Sequence, residues 1–192
     1  MQALIVSTGV VALAEIGDKT QLLAFILAAR FKKPLPIIAG ILCATVINHG
    51  LAGALGAWIT SAINAQLLRW VLGISFIAMA AWTLMPDRIE DEETRIASRM
   101  GVFGATFVTF FLAEMGDKTQ VATIAMAAHY PQPLLVVAGT TLGMLIADVP
   151  AVFVGDRLAG RIPMRLVHGI AAAVFAALGV ATLMGAGADW GL

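Results

Sequence analysis

Two nearly identical charged heptapeptides lie in the middle of two long apolar stretches. EIGDKTQ occupies residues 15–21 and EMGDKTQ occupies residues 114–120, so six of seven letters agree at an offset of 99. Each copy carries two carboxylates and one lysine. A charged side chain at the centre of a membrane helix costs roughly 3 kcal/mol. A chain therefore keeps such groups there only if they face inward, pair with one another or bind a ligand.

The composition predicts an integral membrane protein. The chain has 192 residues, of which 60% are hydrophobic and only 12% are charged, whereas soluble domains carry about 25% charged residues. Its mean hydropathy is +0.91. The net charge is zero and no basic tract occurs, which argues against nucleic acid as a partner. The lone Cys43 excludes an intrachain disulfide.

Six apolar stretches are long enough to cross a bilayer as helices, which takes about 20 residues. No ten-residue segments alternate between apolar and polar residues as a membrane β-barrel requires. We therefore expect an all-α membrane protein with six transmembrane helices. The predicted spans are 3–29, 35–62, 67–85, 101–128, 134–156 and 165–186.

The repeat extends over both halves of the chain. Residues 13–40 match residues 112–139 at 14 of 28 positions. We predict a first three-helix repeat in 1–85, a cytoplasmic linker in 86–99 and a second three-helix repeat in 100–192. Because three is odd, the second repeat would enter the membrane from the opposite side. Such inverted repeats recur in secondary transporters, which bind their substrate near the midplane between the repeats.

Basic residues outside the two motifs predict the orientation. Nine of them fall on one face of the predicted topology, and only Arg69 falls on the other. The positive-inside rule places the nine in the cytoplasm and both termini outside it. The nine are Arg30, Lys32, Lys33, Arg88, Arg95, Arg99, Arg157, Arg161 and Arg165.

The motif carboxylates predict a cation site. Residues three apart share a helix face, which pairs Glu15 with Asp18 and Glu114 with Asp117. Oxygen ligands of this kind suit Mg²⁺, Ca²⁺ and Mn²⁺. A glycine between the acids of each pair would let an ion approach the backbone and would permit local unwinding. The supporting residues are Gly17, Lys19, Thr20 and Gln21 in the first motif, and Gly116, Lys118, Thr119 and Gln120 in the second.

The motif lysines allow a structural alternative. Lys19 lies four residues after Glu15, which is the spacing of a salt bridge within one helix. Two such bridges would pin the helices together without any ligand. They would account for one acid per lysine and leave two acids over, so we expect a cation site rather than bridges alone.

Three polar side chains in the second and fifth predicted spans extend the candidate site. His49 and Asp148 occupy equivalent positions of the repeat, and Asn48 precedes His49. An acid inside the membrane is functional by default, so we expect Asp148 on the cation or proton path. Asn48 and His49 either join that path or form hydrogen bonds between helices.

The doubled E-φ-G-D-[K/R]-[T/S] motif, in the first and fourth of six predicted helices, resembles the GDT family of Golgi, thylakoid and bacterial cation transporters. The resemblance covers the whole chain. It implies exchange of Mn²⁺ or Ca²⁺ for protons, and manganese export in a bacterial member. By the match of motifs, Glu15, Asp18, Glu114 and Asp117 would hold the ion. The chain shows no targeting segment and no long central loop, which favours a bacterial inner membrane over an organelle.

We therefore expect a secondary transporter that exports Mn²⁺, with Ca²⁺ as a second candidate, in exchange for protons. The ion would be a substrate, and no cofactor is expected. No HExxH or GxSxG pattern supports an enzyme. A passive divalent-cation channel and an exporter of amino acids or other small cations are the alternatives. The expected partners are the ion, protons and the bilayer; the choice between monomer and homodimer stays open.

Overall fold

A computed structural model of the protein describes residues 1–85, 100–154 and 164–185. In these ranges the regular structure consists of eight α-helices without strands, which confirms the predicted all-helical class. The helices are α1 Gln2–Glu15, α2 Lys19–Phe31, α3 Pro34–Ala62, α4 Ala65–Thr83, α5 Val102–Glu114, α6 Lys118–His129, α7 Pro133–Val154 and α8 Met164–Leu183.

Three helices are long and apolar enough to cross a membrane: α3, α4 and residues Pro133–Phe153 of α7. They correspond to the predicted second, third and fifth spans. The helices α1 and α5 and the segment Gly169–Leu183 are apolar but shorter. The predicted linker 86–99 and the ends of the fifth and sixth spans lie outside the described residues.

Both motifs interrupt a helix, so the predicted first and fourth spans are each two helices. The breaks are 16–18, between α1 and α2, and 115–117, between α5 and α6. Gly17 has φ 87° and Gly116 has φ 81°, a left-handed backbone that glycine adopts without steric cost. The local unwinding that the glycines predicted is therefore present. The structure differs from the sequence analysis in that Glu15 ends α1 whereas Asp18 lies in the break before α2, so the two do not share one helix face.

A glutamine side chain holds each break. The Gly17 amide donates to Oε1 of Gln21 at 2.9 Å, and the Gly116 amide donates to Oε1 of Gln120 at 2.8 Å. Each bond satisfies a backbone group that the interrupted helix leaves without a partner. The repeated sequence thus produces the same backbone device twice.

Glycines bring α3 close to the broken helix of the other half. Gly40 lies against Thr106 of α5, and Gly56 lies against Ile124 of α6. A side chain at either glycine would collide with these neighbours. Gly56 follows Gly40 in α3, and its neighbour Ile124 likewise follows Thr106 in the chain. The helix α3 therefore runs parallel to α5 and α6.

The helix α7 packs on the first half in the same way. Gly139 lies against the Leu4 carbonyl, and Gly143 lies against the Thr8 carbonyl. Farther along, Nε2 of Gln21 donates to the Ala147 carbonyl at 3.0 Å. The helix α7 therefore runs parallel to α1 and α2, and each half supplies the helix that packs along the broken helix of the other.

The helices α4 and α8 form an antiparallel pair. Gly73 lies against Gly179 and Leu183, whereas Ile77, one turn later in α4, contacts Gly179. Phe76 and Phe175 occupy equivalent positions of the repeat, and both are buried. The pair thus relates the two halves symmetrically.

Two apolar clusters form the core. The first cluster joins α1, α4, α6, α7 and α8, and it includes Val10, Leu72, Phe76, Met126 and Phe175. The second cluster joins α2, α3, α5 and α7, and it includes Leu23, Leu27, Ile41, Phe110 and Val152. In the part of the chain that the structure describes, the second cluster contains no residue of α4 or α8. The first motif joins α1 of the first cluster to α2 of the second cluster. The second motif joins α5 of the second cluster to α6 of the first cluster.

Candidate metal centre

The four motif carboxylates are all buried at the two helix breaks. Glu15 ends α1 and Glu114 ends α5, whereas Asp18 and Asp117 directly precede α2 and α6. An ionised carboxylate buried without a partner is strongly unfavourable. The folded chain therefore requires counter-charges, protons or a bound cation at this place.

Three of the four acids converge. One carboxylate oxygen each from Glu15, Glu114 and Asp117 lies within 4.8 Å of the other two. Within residues 1–85, 100–154 and 164–185, Oε1 of Glu15, Oε1 of Glu114 and Oδ2 of Asp117 have no hydrogen-bond partner. Buried carboxylate oxygens without partners that face one another are the donor set that a hard divalent cation prefers. The set combines ligands from both halves of the chain.

Threonines orient the two glutamates in the same manner. Oγ1 of Thr20 donates to Oε2 of Glu15 at 2.6 Å, and Oγ1 of Thr119 donates to Oε2 of Glu114 at 2.9 Å. Each hydroxyl occupies one oxygen, and the other, Oε1, has no hydrogen-bond partner among the described residues. The two threonines thus make the same hydrogen bond in both motifs.

The two motif lysines are in different environments. Nζ of Lys118 lies 2.6 Å from Oδ1 of Asp18, and both side chains are buried. Lys118 is also close enough to Glu15 for its charge to act on it. Lys19 is only partly buried, and it forms no ion pair among the residues that the structure describes. The bridge therefore links the two halves, and the sequence alternative of a Lys19–Glu15 bridge within one helix is not the one observed.

Asp148 belongs to the same electrostatic environment. It is fully buried in α7, and neither of its carboxylate oxygens has a partner in the described part of the chain. It lies close enough to Glu15 and Glu114 for its charge to act on both. This placement fits the expectation that Asp148 lies on the cation or proton path.

Asn48 and His49 occupy the corresponding part of α3. Nδ2 of Asn48 donates to the Phe111 carbonyl of α5 at 3.1 Å, which is the helix-to-helix bond considered as its alternative role. His49 is fully buried, and neither ring nitrogen has a partner in the ranges described. The structure brings both residues to the buried side of α3.

Two buried threonines were missed by the sequence analysis. Oγ1 of Thr45 and Oγ1 of Thr141 are buried and lack a partner among the described residues. Thr45 lies one helical turn before His49 on α3. Helical spacing from a polar residue inside a predicted span is the signal that could have found it.

Known proteins resemble this chain over most of its length. One family model, described as "Divalent cation/proton antiporter GDT1", matches residues 3–91 and again residues 102–190, so each half matches separately. The chain is 48% identical to the "Putative manganese exporter" of Vibrio cholerae over 95% of this chain and 90% of that protein.

More distant relatives are also similar over nearly the whole chain. A GDT1-like protein of Synechocystis is 33% identical over 86% of this chain and 88% of its own length. GDT1-like protein 5 of Arabidopsis thaliana is 28% identical over 90% of this chain and 91% of its own length. No solved structure matches the chain significantly.

The family match covers both halves, including both motifs and all four of their carboxylates. The family is one of transporters, and the apolar helices are those of a multi-pass membrane protein. The resemblance inferred from the doubled motif is therefore confirmed: the chain belongs to the GDT1 family of divalent cation/proton antiporters.

Proposed function

We propose that this protein exports Mn²⁺ across a bacterial inner membrane in exchange for protons. The observation that carries the proposal is the convergence of three buried carboxylates from both halves at two helix breaks. The name of the 48% identical Vibrio cholerae relative supports manganese as the substrate and export as the direction. Ca²⁺ is the second candidate, because the same oxygen ligands accept it.

Glu15, Glu114 and Asp117 bind the ion directly. Asp18 joins them when its bridge to Lys118 opens, and Asp148 adds negative charge to the site. Oxygen donors dominate this set, whereas Zn²⁺ and Cu⁺ prefer histidine and cysteine ligands. The threonines of both motifs keep the glutamate oxygens oriented toward the ion.

Exchange follows from the burial of the acids. While the ion is bound, its charge compensates the carboxylates. When the ion leaves, several ionised carboxylates in one buried site would be strongly unfavourable, so protons replace the ion. Ion and protons thus compete for the same oxygens, which is the minimum that an antiporter requires.

The chain crosses the membrane six times as two inverted repeats, with α1–α2 and α5–α6 as the broken spans. The parallel packing of α3 on α5 and α6, and of α7 on α1 and α2, supports this plan. Arg30, Lys32 and Lys33 are exposed at the end of α2 and in the following turn, which supports a cytoplasmic position for that end. Both termini are then extracytoplasmic.

Ion-resolved flux in proteoliposomes tests the function. Mn²⁺ movement driven by an imposed pH gradient, with proton movement in the opposite direction, is the expected result. A rate of Mn²⁺ flux that is the same with and without the pH gradient would favour a passive channel. Competition by amino acids, without any effect of divalent ions, would favour the organic-cation alternative. Lys33→Gln, outside the motifs, serves as the matched control for each motif variant.

A further inference from the structure

We propose that α4 and α8 form a gate that closes one side of the ion site at a time, and that two alternative ion pairs lock its two positions. The Lys118–Asp18 bridge locks the described conformation. The equivalent pair, Lys19 with Asp117, locks the opposite one. The proposal rests on the proposed transport function, and it adds the conformational state and the residues that control it.

The gate closes on only one side in this structure. Through Leu72, Phe76 and Phe175, α4 and α8 pack with α1 and α6 in the first cluster. The other half of each broken span, α2 and α5, packs in the second cluster, to which α4 and α8 contribute none of the described residues. The ion site lies between the two clusters, and among the described residues the α4–α8 pair packs over it on the α1–α6 side and contributes nothing to the cluster on the α2–α5 side.

Equivalent positions of α2 and α6 differ in exposure accordingly. Ala125 of α6 is 3% exposed, whereas Ile26, its equivalent in α2, is 38% exposed. Val121 packs against the first cluster, whereas its equivalent Leu22 is 50% exposed. The exposed apolar face of α2 can therefore make the contact with α4 and α8 that α6 makes in this structure.

The lysines show the same asymmetry. Lys118, the first residue of α6, is buried in its bridge to Asp18. Lys19, the first residue of α2, is partly exposed and makes no ion pair with any described residue. Since the motifs are identical at these positions, the two lysines differ in their surroundings and not in the motif itself. Exchange of the roles of the two halves would bury Lys19 against Asp117 and release Lys118.

The antiparallel α4–α8 pair is itself suited to either position. Phe76 and Phe175 are equivalent and both buried, as are Leu72 and Ala171. The pair can therefore present comparable apolar surface to α1 and α6 or, after rocking, to α2 and α5. One apolar contact and one ion pair form as the others break.

Ion binding is coupled to this gate through charge. Lys118 lies within electrostatic range of Glu15, which is one of the proposed ligands. A divalent cation beside Glu15 repels the ammonium group and competes for Asp18. Occupancy therefore weakens the bridge that locks the described conformation, and this links binding of the ion to movement of the gate.

Thiol labelling at a matched pair of positions tests the gate. Ile26→Cys and Ala125→Cys are each made in a Cys43→Ser chain, reconstituted without divalent ions, and reacted with a water-soluble maleimide supplied on both sides. If the described conformation dominates, the thiol at 26 reacts about tenfold faster than the thiol at 125. Equal rates, a reversed order, or two unreactive thiols would overturn the proposal, because position 26 would then face lipid or a closed contact.

Lysine variants test the two locks in the same labelled chains. Lys118→Met should lower the reactivity at 26 and raise it at 125, whereas Lys19→Met should leave or enlarge the original difference. Shifts in the same direction for both variants, or no shift for either, would count against alternating locks. If Lys118→Met folds poorly, Lys118→Arg serves instead. It retains the ion pair, so its thiol at 26 should still react faster than its thiol at 125. Labelling does not require transport. If the protein with both motif lysines intact shows this labelling pattern but no Mn²⁺ flux, the proposed function is wrong and the proposed gate is still supported.

Discussion

Nζ of Lys118 and Oδ1 of Asp18 lie 2.6 Å apart and join the second half of the chain to the first. The two residues are 100 positions apart, and each belongs to a different copy of the motif. The bridge removes one of the four acids from the group that converges around the proposed ion. The two copies of the motif therefore act as one site with unequal parts.

The glutamates should be indispensable in both halves. Glu15→Gln and Glu114→Gln each remove a charged ligand that faces the cluster, while the amide retains a bond from Thr20 or Thr119. We expect each variant to lose manganese tolerance in an export-deficient bacterial host at unchanged protein level. Glu92→Gln makes the same chemical change in the segment 86–99 and should remain tolerant. Wild-type tolerance in either glutamate variant would show that the two motifs do not share one site.

The two lysines should contribute unequally to stability. Lys118→Met removes the ion pair that Lys118 forms with Asp18 in the described conformation, and breaking a buried ion pair costs about 3–5 kcal/mol. Lys19→Met changes a partly exposed side chain and should cost much less. Thermal unfolding of the purified variants in detergent measures both effects. Equal melting temperatures for the two variants would contradict the observed difference between the lysines.

The helix break in the second motif should depend on glycine for conformational reasons alone. Gly116 has φ 81°, and nothing lies within 4 Å of a Cβ placed there. Gly116→Ala should therefore destabilise the break by about 1–2 kcal/mol through the left-handed backbone rather than through a clash. Gly9→Ala also places a Cβ in open space, but within α1, where alanine is favoured. A lowered melting temperature and flux in Gly116→Ala, without loss in Gly9→Ala, is the expected result.

Close packing of α3 against α6 should be equally selective. A Cβ at Gly56 would collide with the Ile124 carbonyl and with Ala127, whereas a Cβ at Gly50 meets nothing within 4 Å. Overpacking of this kind typically costs about 1–3 kcal/mol. Gly56→Ala should therefore lower the melting temperature, and Gly50→Ala should not. Similar melting temperatures for the two variants would show that α3 can move away from α6 without cost.

Local sequence signals predicted the acids, the glycines and the helical class because each depends on spacing along the chain. The offset of 99 revealed that Glu15 and Glu114 are equivalent, and Gly17 indicated where a helix could unwind. The helix-face argument for Glu15 and Asp18 failed because it assumed a continuous helix, whereas the positive φ of Gly17 separates them. Spacing rules apply within one element and do not extend across such a break.

The partner of Lys118 could not be derived from the sequence. Two identical motifs offer each lysine the same candidate acids, and only the three-dimensional arrangement selects Asp18 over Asp117. Likewise, the repeat places His49 and Asp148 at equivalent positions, and only the folded structure shows that Asp148 lies within electrostatic range of both motif glutamates. Symmetry of sequence thus did not reveal the asymmetry of the folded state.

The division of the ligand set between the halves also bears on how the protein is made. Residues 15–19 are synthesised well before residues 114–118, which carry the bridging lysine and two of the converging acids. During that interval the first three charges must be tolerated in or near the bilayer without their final partners, at a cost of roughly 3 kcal/mol for each charge at the membrane centre. The first motif therefore reaches its mature environment only after the second motif has been translated.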